Sequence, residues 1–134
     1  MMATTLTKTA RTLVAASTSN AAGSTTRGTV DLRTAYGGFL TAKITNGATG
    51  PTVQCICNLL VAHNASSTPT AASAGSDWKT VWSFGGGTTN SAITEQTWDV
   101  PPGVMHMEVE FTGNTGQNVT VESYFSEVTN AVSA

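Results

Sequence analysis

The strictest constraint in this chain is a two-residue alternation that begins near Gly28 and never gives way to a helical period. It is plainest over residues 28–62, GTVDLRTAYGGFLTAKITNGATGPTVQCICNLLVA. Leu40, Ala42 and Ile44 fall on one side, and Thr41, Lys43 and Thr45 on the other. Successive side chains of an extended chain point to opposite faces, so the pattern specifies a strand with one face buried. Asn46-Gly47-Ala48-Thr49-Gly50-Pro51 then gathers residues that tolerate positive φ or fix φ, and reads as a turn. Beyond it Val53, Cys55, Cys57, Leu59 and Val61 share a face, opposite Gln54, Ile56, Asn58 and Leu60. A strand apolar on both sides belongs inside a sheet, covered twice. With residues 29–34 ahead of it, the stretch reads as three strands and as the centre onto which the rest docks.

The alternation continues downstream. Residues 77–84, DWKTVWSF, place Trp78, Thr80, Trp82 and Phe84 on one side, as core packing or as a subunit interface. Residues 92–100 put Thr94, Gln96, Trp98 and Val100 on one face and Ile93 on the other, and Pro101-Pro102-Gly103 ends them at a sheet end. Residues 104–111 turn Met105, Met107, Val109 and Phe111 inward and His106, Glu108 and Glu110 out to solvent. Val119, Val121, Ser123 and Phe125 oppose Thr120, Glu122, Tyr124 and Ser126, so residues 104–128 read as a closing hairpin. Residues 63–76 form a polar loop without period. About eight strands separated by turn clusters predict an all-β antiparallel β-sandwich of the jelly-roll type.

Residues 1–27 differ from the body. Leu6, Leu13 and Val14 are their only large apolar residues after the opening methionines, too few to bury on their own. They read as a flexible N-terminal arm, with a short first strand at residues 12–17, and residues 28–134 as the sandwich domain. Removing residues 1–26 is then expected to leave a folded β-protein. The arm holds Lys8, Arg11 and Arg27 before the first acid, Asp31, a net +3 against −5 for the remainder. A basic arm on an acidic body suits an acidic surface, though three bases also serve as solubilising charge. They are too few for nucleic acid, and no apolar run reaches membrane-spanning length. Charged residues make up 10% of the chain, where roughly a quarter is usual. Such a composition suits a surface that a partner covers, or a β-protein with many short turns.

Catalytic patterns fail on inspection. Cys55 and Cys57 are about 6–7 Å apart on one strand face by strand rise. That spacing suits a disulfide poorly. With no signal peptide at the start, a reducing cytoplasm is expected. Among Val53, Leu59 and Val61 the two cysteines read as small core residues, not as a zinc pair or nucleophiles. The His106-x-Glu108-x-Glu110 face could hold a metal in principle, but no second histidine is placed beside it. Gly85-Gly86-Gly87 lacks the ending of a phosphate loop. No enzyme activity, cofactor or metal is expected. A sugar-binding module, with Trp78, Trp82 or Trp98 stacking on rings, is the rival from another class.

Three segments carry a resemblance: the Ser/Thr/Ala-rich leader ending Ala22-Gly23-Ser24-Thr25-Thr26-Arg27-Gly28, then Val30-Asp31-Leu32-Arg33-Thr34-Ala35-Tyr36-Gly37-Gly38, then Ile44-Thr45-Asn46-Gly47-Ala48-Thr49-Gly50-Pro51. Over roughly residues 22–62 the chain resembles the small jelly-roll decoration, or cement, proteins of tailed-bacteriophage capsids. The resemblance implies a β-sandwich body, frequent homotrimers, a place on the virion's capsid surface after synthesis in the host cytoplasm, and an arm lying on the major capsid protein. On that reading Lys8, Arg11, Leu13, Val14 and Arg27 are the candidate capsid or subunit interface, and the protein clamps adjacent major capsid proteins. A neck, tail or fibre-anchoring role would use the same kind of body.

Overall fold

The computed structural model describes residues 4–63 and 78–133. They form eight strands: β1 Thr4–Asn20, β2 Thr26–Asp31, β3 Gly38–Asn46, β4 Ile56–Ala62, β5 Trp78–Gly85, β6 Ile93–Val100, β7 His106–Thr112 and β8 Val119–Ser133. Two four-stranded sheets result, sheet A in the order β1-β8-β3-β6 and sheet B in the order β2-β7-β4-β5. All pairings are antiparallel. First pairs with last, second with seventh, third with sixth and fourth with fifth. One long ribbon folded over on itself produces this nesting, which is the jelly roll. The chain is an all-β sandwich, as its alternation requires.

The core lies between the sheets. Leu40, Ala42 and Ile44 of β3, with Val121 and Phe125 of β8, face Leu59 and Val61 of β4 and Met107, Val109 and Phe111 of β7. All are buried, each large side chain stabilising the fold by roughly 1.5–3 kcal/mol. Cys55 and Cys57 are buried with them as free thiols. Val53 is not. It sits half-exposed before β4 begins, tied only by an isolated bridge to Thr115.

Three expectations about organisation are corrected. Residues 104–128 do not form a hairpin, because β7 pairs with β2 and β4 while β8 pairs with β1 and β3. The connection between them crosses from sheet to sheet. Its Asn114 is fully buried and bonds the Asn20 and Gln117 carbonyls at 3.1 and 3.0 Å, which anchors the crossing to the end of β1. For the same reason residues 28–62 are not one contiguous unit, since β2 and β4 belong to sheet B and β3 to sheet A. The third correction concerns the arm. Residues 4–20 are not a free extension but strand β1, paired along β8 from Thr4↔Ser133 to Asn20↔Val119. Val14 is buried and Leu13 packs on the core. Gly28 seats this segment closely, since a Cβ there would meet the Leu13 carbonyl oxygen at 2.5 Å. Backbone pairing, unlike side-chain burial, needs few large apolar residues, so the poor composition of the arm did not disclose it.

Side-chain direction differs in two places. The β4–β5 register shifts between Leu59 and Leu60, so Val81 is an extra residue in β5. A single inserted residue reverses which face the side chains occupy. Trp82 and Phe84 therefore pack on the core, with ring centroids 5.2 Å apart, while Trp78 joins Leu60 and Ala62 on the opposite face of sheet B. On β7, His106, Glu108 and Glu110 do point away from the core, yet they are 0%, 1% and 8% exposed, so that face is not solvated. The polar loop expected at 63–76 lies, from residue 64 onward, outside the described residues.

Candidate functional site

Two regions of the sandwich gather polar or exposed apolar groups. The first is the outer face of β7 and β2 in sheet B. Arg27 projects from β2 between the Glu108 and Glu110 carboxylates and pairs with both, the Glu108 contact being 3.1 Å. Thr29 Oγ1 donates to Glu108 at 2.8 Å, and Asn58 Nδ2 donates to Glu110 at 3.1 Å. Ser83 Oγ in turn donates to Asn58 Oδ1 at 2.9 Å. These acids are thus held directly by side chains of the two strands that flank β7, β2 and β4. Such a network fixes register, since a buried carboxylate without its partners costs several kcal/mol. His106 sits beside it with neither ring nitrogen hydrogen-bonded among the described residues, its Nδ1 3.9 Å from Asp31 Oδ1. Asp31 itself is drawn down to about 2, first by the side-chain hydrogen bond from Arg33 and then by that residue's backbone N–H. Among the described residues no group of three or more His, Cys, Asp or Glu side chains is placed to hold a metal ion.

The second region is open. On the outer face of sheet A the register aligns Thr12–Tyr124–Thr41–Thr97 in one row and Ala10–Ser126–Phe39–Asp99 in the next. Strand alternation adds Leu6 and Lys8 of β1 and Ile93 of β6. Leu6, Phe39, Ile93 and Tyr124 are 53%, 49%, 66% and 39% exposed. Four of the large apolar side chains most open to water therefore share one sheet face. A shallow hollow of about 170 Å³ lies between Phe39 and Tyr124, floored by Ala10, Thr12, Thr41 and Ser126. A second, of about 440 Å³, lies on the far side of Phe39 and is flanked by Lys8, Asp99 and Val128. Lys43 pairs with Glu122 at 2.6 Å lower on the face. That pair raises the Lys43 ammonium and lowers the Glu122 carboxyl, which also accepts from Tyr124.

Past Gly38, β8 loses β3 as a neighbour. Tyr36 and Gly37 continue the backbone bonding only as far as Val128. From there β1 and β8 run on alone as a two-stranded ribbon, Thr4↔Ser133 to Thr7↔Asn130. Residues 5–12 of β1 are exposed throughout.

The five interface candidates separate accordingly. Lys8 borders the open hollow. Arg11, though half-exposed, is engaged by the buried Glu127 carboxylate. Leu13 and Val14 belong to the core, and Arg27 to the Glu108–Glu110 network. Of the five, Lys8 and Arg11 border the hollows of the open face, Arg11 while paired with Glu127. A single exposed aromatic per strand looks like ordinary alternation, so the sequence alone does not single out Phe39 and Tyr124. The signal lies in their diagonal placing across β3 and β8, which pairing alone reveals. None of the three tryptophans is presented to solvent as a platform: Trp78 is buried, and Trp82 and Trp98 lean on the core.

A jelly-roll sandwich with one open sheet face is a scaffold that proteins of many unrelated functions share. No protein-family model matches this chain, and no curated protein sequence matches it significantly. Its fold is similar to the K3 cleaved adhesin domain of Lys-gingipain from Porphyromonas gingivalis (TM-score 0.57, 11% identity, 81% of this chain and 71% of that one). It is also similar to VP2 of infectious bursal disease virus, as found in a subviral particle (TM-score 0.50, 10% identity, 92% of this chain and 33% of that one). The SPBc2 prophage-derived protein YomS aligns over 91% of this chain and 95% of its own at 21% identity, with a TM-score of 0.45. The first two likenesses, at 11% and 10% identity, show the sandwich fold alone.

Proposed function

We propose that this protein is a virion structural component that sets the outer face of sheet A against the outside of a phage capsid and clamps adjacent major capsid proteins. The observation that carries this reading is the placing of exposed Phe39 and Tyr124 about one hollow of the open face, with exposed Leu6 on the adjoining β1–β8 ribbon and Ile93 at the far end of β6. Burying apolar surface stabilises a contact by about 25 cal/mol per Å². Thr12, Thr41, Thr97 and Ser126 surround Phe39 and Tyr124, while the charges of this face, Lys8, Glu95, Asp99 and the Lys43–Glu122 pair, lie around them as a polar rim. Many identical copies on a lattice then add avidity. The resemblance of residues 22–62 to capsid decoration proteins and the sandwich shared with VP2 are in keeping with this role. On this reading the protein is a binder with no catalytic centre and no cofactor, and its partner is protein, neither nucleic acid nor membrane.

Co-sedimentation with purified expanded capsids tests it. Phe39→Asp and Tyr124→Asp each weaken capsid binding about tenfold or more, in the manner of interface anchors. Their circular-dichroism spectra stay those of the folded sandwich, with melting lowered slightly for Phe39→Asp and somewhat more for Tyr124→Asp, which loses its bond to Glu122. Val53→Asp, exposed elsewhere, leaves binding intact. Capsid binding unaltered in the Phe39→Asp, Tyr124→Asp double variant would remove the reading. Gold-labelled particles in negative stain separate a shell position from a neck or tail one.

One observation favours a second use of the same face. Phe39 and Tyr124 flank a hollow floored by hydroxyl groups, an arrangement that suits a saccharide ring stacked on an aromatic side chain. A glycan array with the same two variants distinguishes it, since sugar binding would appear without capsids.

A further inference from the structure

We infer that copies of this chain assemble head to tail, edge strand β1 of one copy pairing antiparallel with edge strand β6 of the next, so that sheet A runs on from subunit to subunit. This concerns self-assembly and goes beyond the capsid reading. β1 and β6 are the two edges of sheet A. Each edge leaves half its backbone N–H and C=O groups pointing outward, a template for another strand. Among the described residues no strand occupies either position. Sheet edges are ordinarily blunted by proline, by bulges or by short length. β6 has eight residues, no proline and an unbroken register with β3. On β1, residues 5–12 are exposed and lack proline, and Lys8–Thr12 keep an unbroken register with β8 between shifts at Thr7/Lys8 and Thr12/Val14, so the free edge is the segment around Lys8.

Direction and charge select the pairing. β1 opposes β8, β8 opposes β3 and β3 opposes β6, so β1 and β6 run in opposite senses. A second copy added beside β6 in the same orientation therefore presents its β1 antiparallel, and the alternation of sheet A is preserved. β1 carries Lys8 and Arg11 and no acid, while β6 carries Glu95 and Asp99 and no base. Arg11 is engaged by Glu127, which leaves Lys8 as the reaching cation. Lys8, Glu95 and Asp99 all stand on the outer face. Like-to-like pairing would set Lys8 against Lys8, or the β6 acids against themselves. Head-to-tail pairing sets unlike charges together. A repeated contact of this heterologous kind closes into a ring when its rotation permits. The ring would present several copies of the Phe39–Tyr124 face side by side.

Light scattering on size-exclusion fractions of the full chain, without capsids, tests the inference. A discrete species larger than a dimer is expected. Lys8→Glu and Asp99→Lys, each alone, raise its dissociation constant about tenfold or more, since like charges then meet at every junction. The double variant K8E/D99K restores assembly, and thermal melting of all three matches the parent. A monomer at every concentration overturns the inference. So does a dimer indifferent to Asp99→Lys, which would place the contact elsewhere, or failure of the double variant to recover. None of these results bears on capsid binding by the monomer, which is measured separately by co-sedimentation.

Discussion

At the residue scale, the most consequential groups are polar side chains that the fold has taken out of water. Arg27 faces two carboxylates, Glu108 and Glu110, that are almost fully buried. Replacing it by alanine leaves two buried charges without their cation, a loss on the order of 3 kcal/mol. Urea denaturation of Arg27→Ala should show that loss, and adding Glu108→Gln and Glu110→Gln should recover part of it. The cysteines make a second case. Burial pushes the Cys55 thiol up to about 11, and burial, with Cys55 and Glu110 nearby, pushes Cys57 well above its ordinary value. Both thiols stay protonated and unreactive to aromatic disulfide reagents at pH 8 until the protein unfolds. Because the folded state holds these protons more tightly, stability is level below the unfolded thiol range, near 8.5, and falls as pH rises from there. Rapid thiol labelling of the native protein would contradict the burial.

At the element scale, one extra residue decides where a tryptophan goes. Val81 breaks the β4–β5 register, and with it Trp78 leaves the core face that period-two counting assigns it. Deleting Val81 would force Trp78 toward the sandwich interior or shift the whole of β5. Melting should fall by several degrees, and tryptophan fluorescence should change in the native state. β1 offers the complementary lesson. Its residues have little to bury, yet it spans seventeen positions because β8 supplies an edge to pair with. Removing residues 1–9 takes away most of the ribbon beyond the sandwich and should weaken capsid binding with little change in melting. Removing residues 1–26 also takes Leu13, Val14 and the buried Asn20 that bonds Asn114, so that truncation should melt far lower or fail to fold.

At the scale of the whole molecule, the nested pairing of strands sets which surfaces are open. Sheet B buries polar side chains on its outer face, whereas sheet A leaves Leu6, Phe39, Ile93 and Tyr124 open to water. That asymmetry directs the proposed contact to one side of the sandwich and to the two edges of one sheet. The sequence alone determined the class. Period two from Gly28 onward, clustered turn formers and the inward sets of β3, β6 and β8 all follow from side chains alternating along an extended chain. Only the tertiary structure decided which strands are neighbours, because hydrogen-bond partners in a jelly roll are distant in sequence and leave no local mark. From that followed the loss of the expected closing hairpin, the capture of the basic leader as β1 and the burial of Glu108 and Glu110. The placing of Phe39 and Tyr124 about one hollow has the same origin: they are diagonal neighbours only because β3 and β8 pair, and no pattern within either strand could announce it.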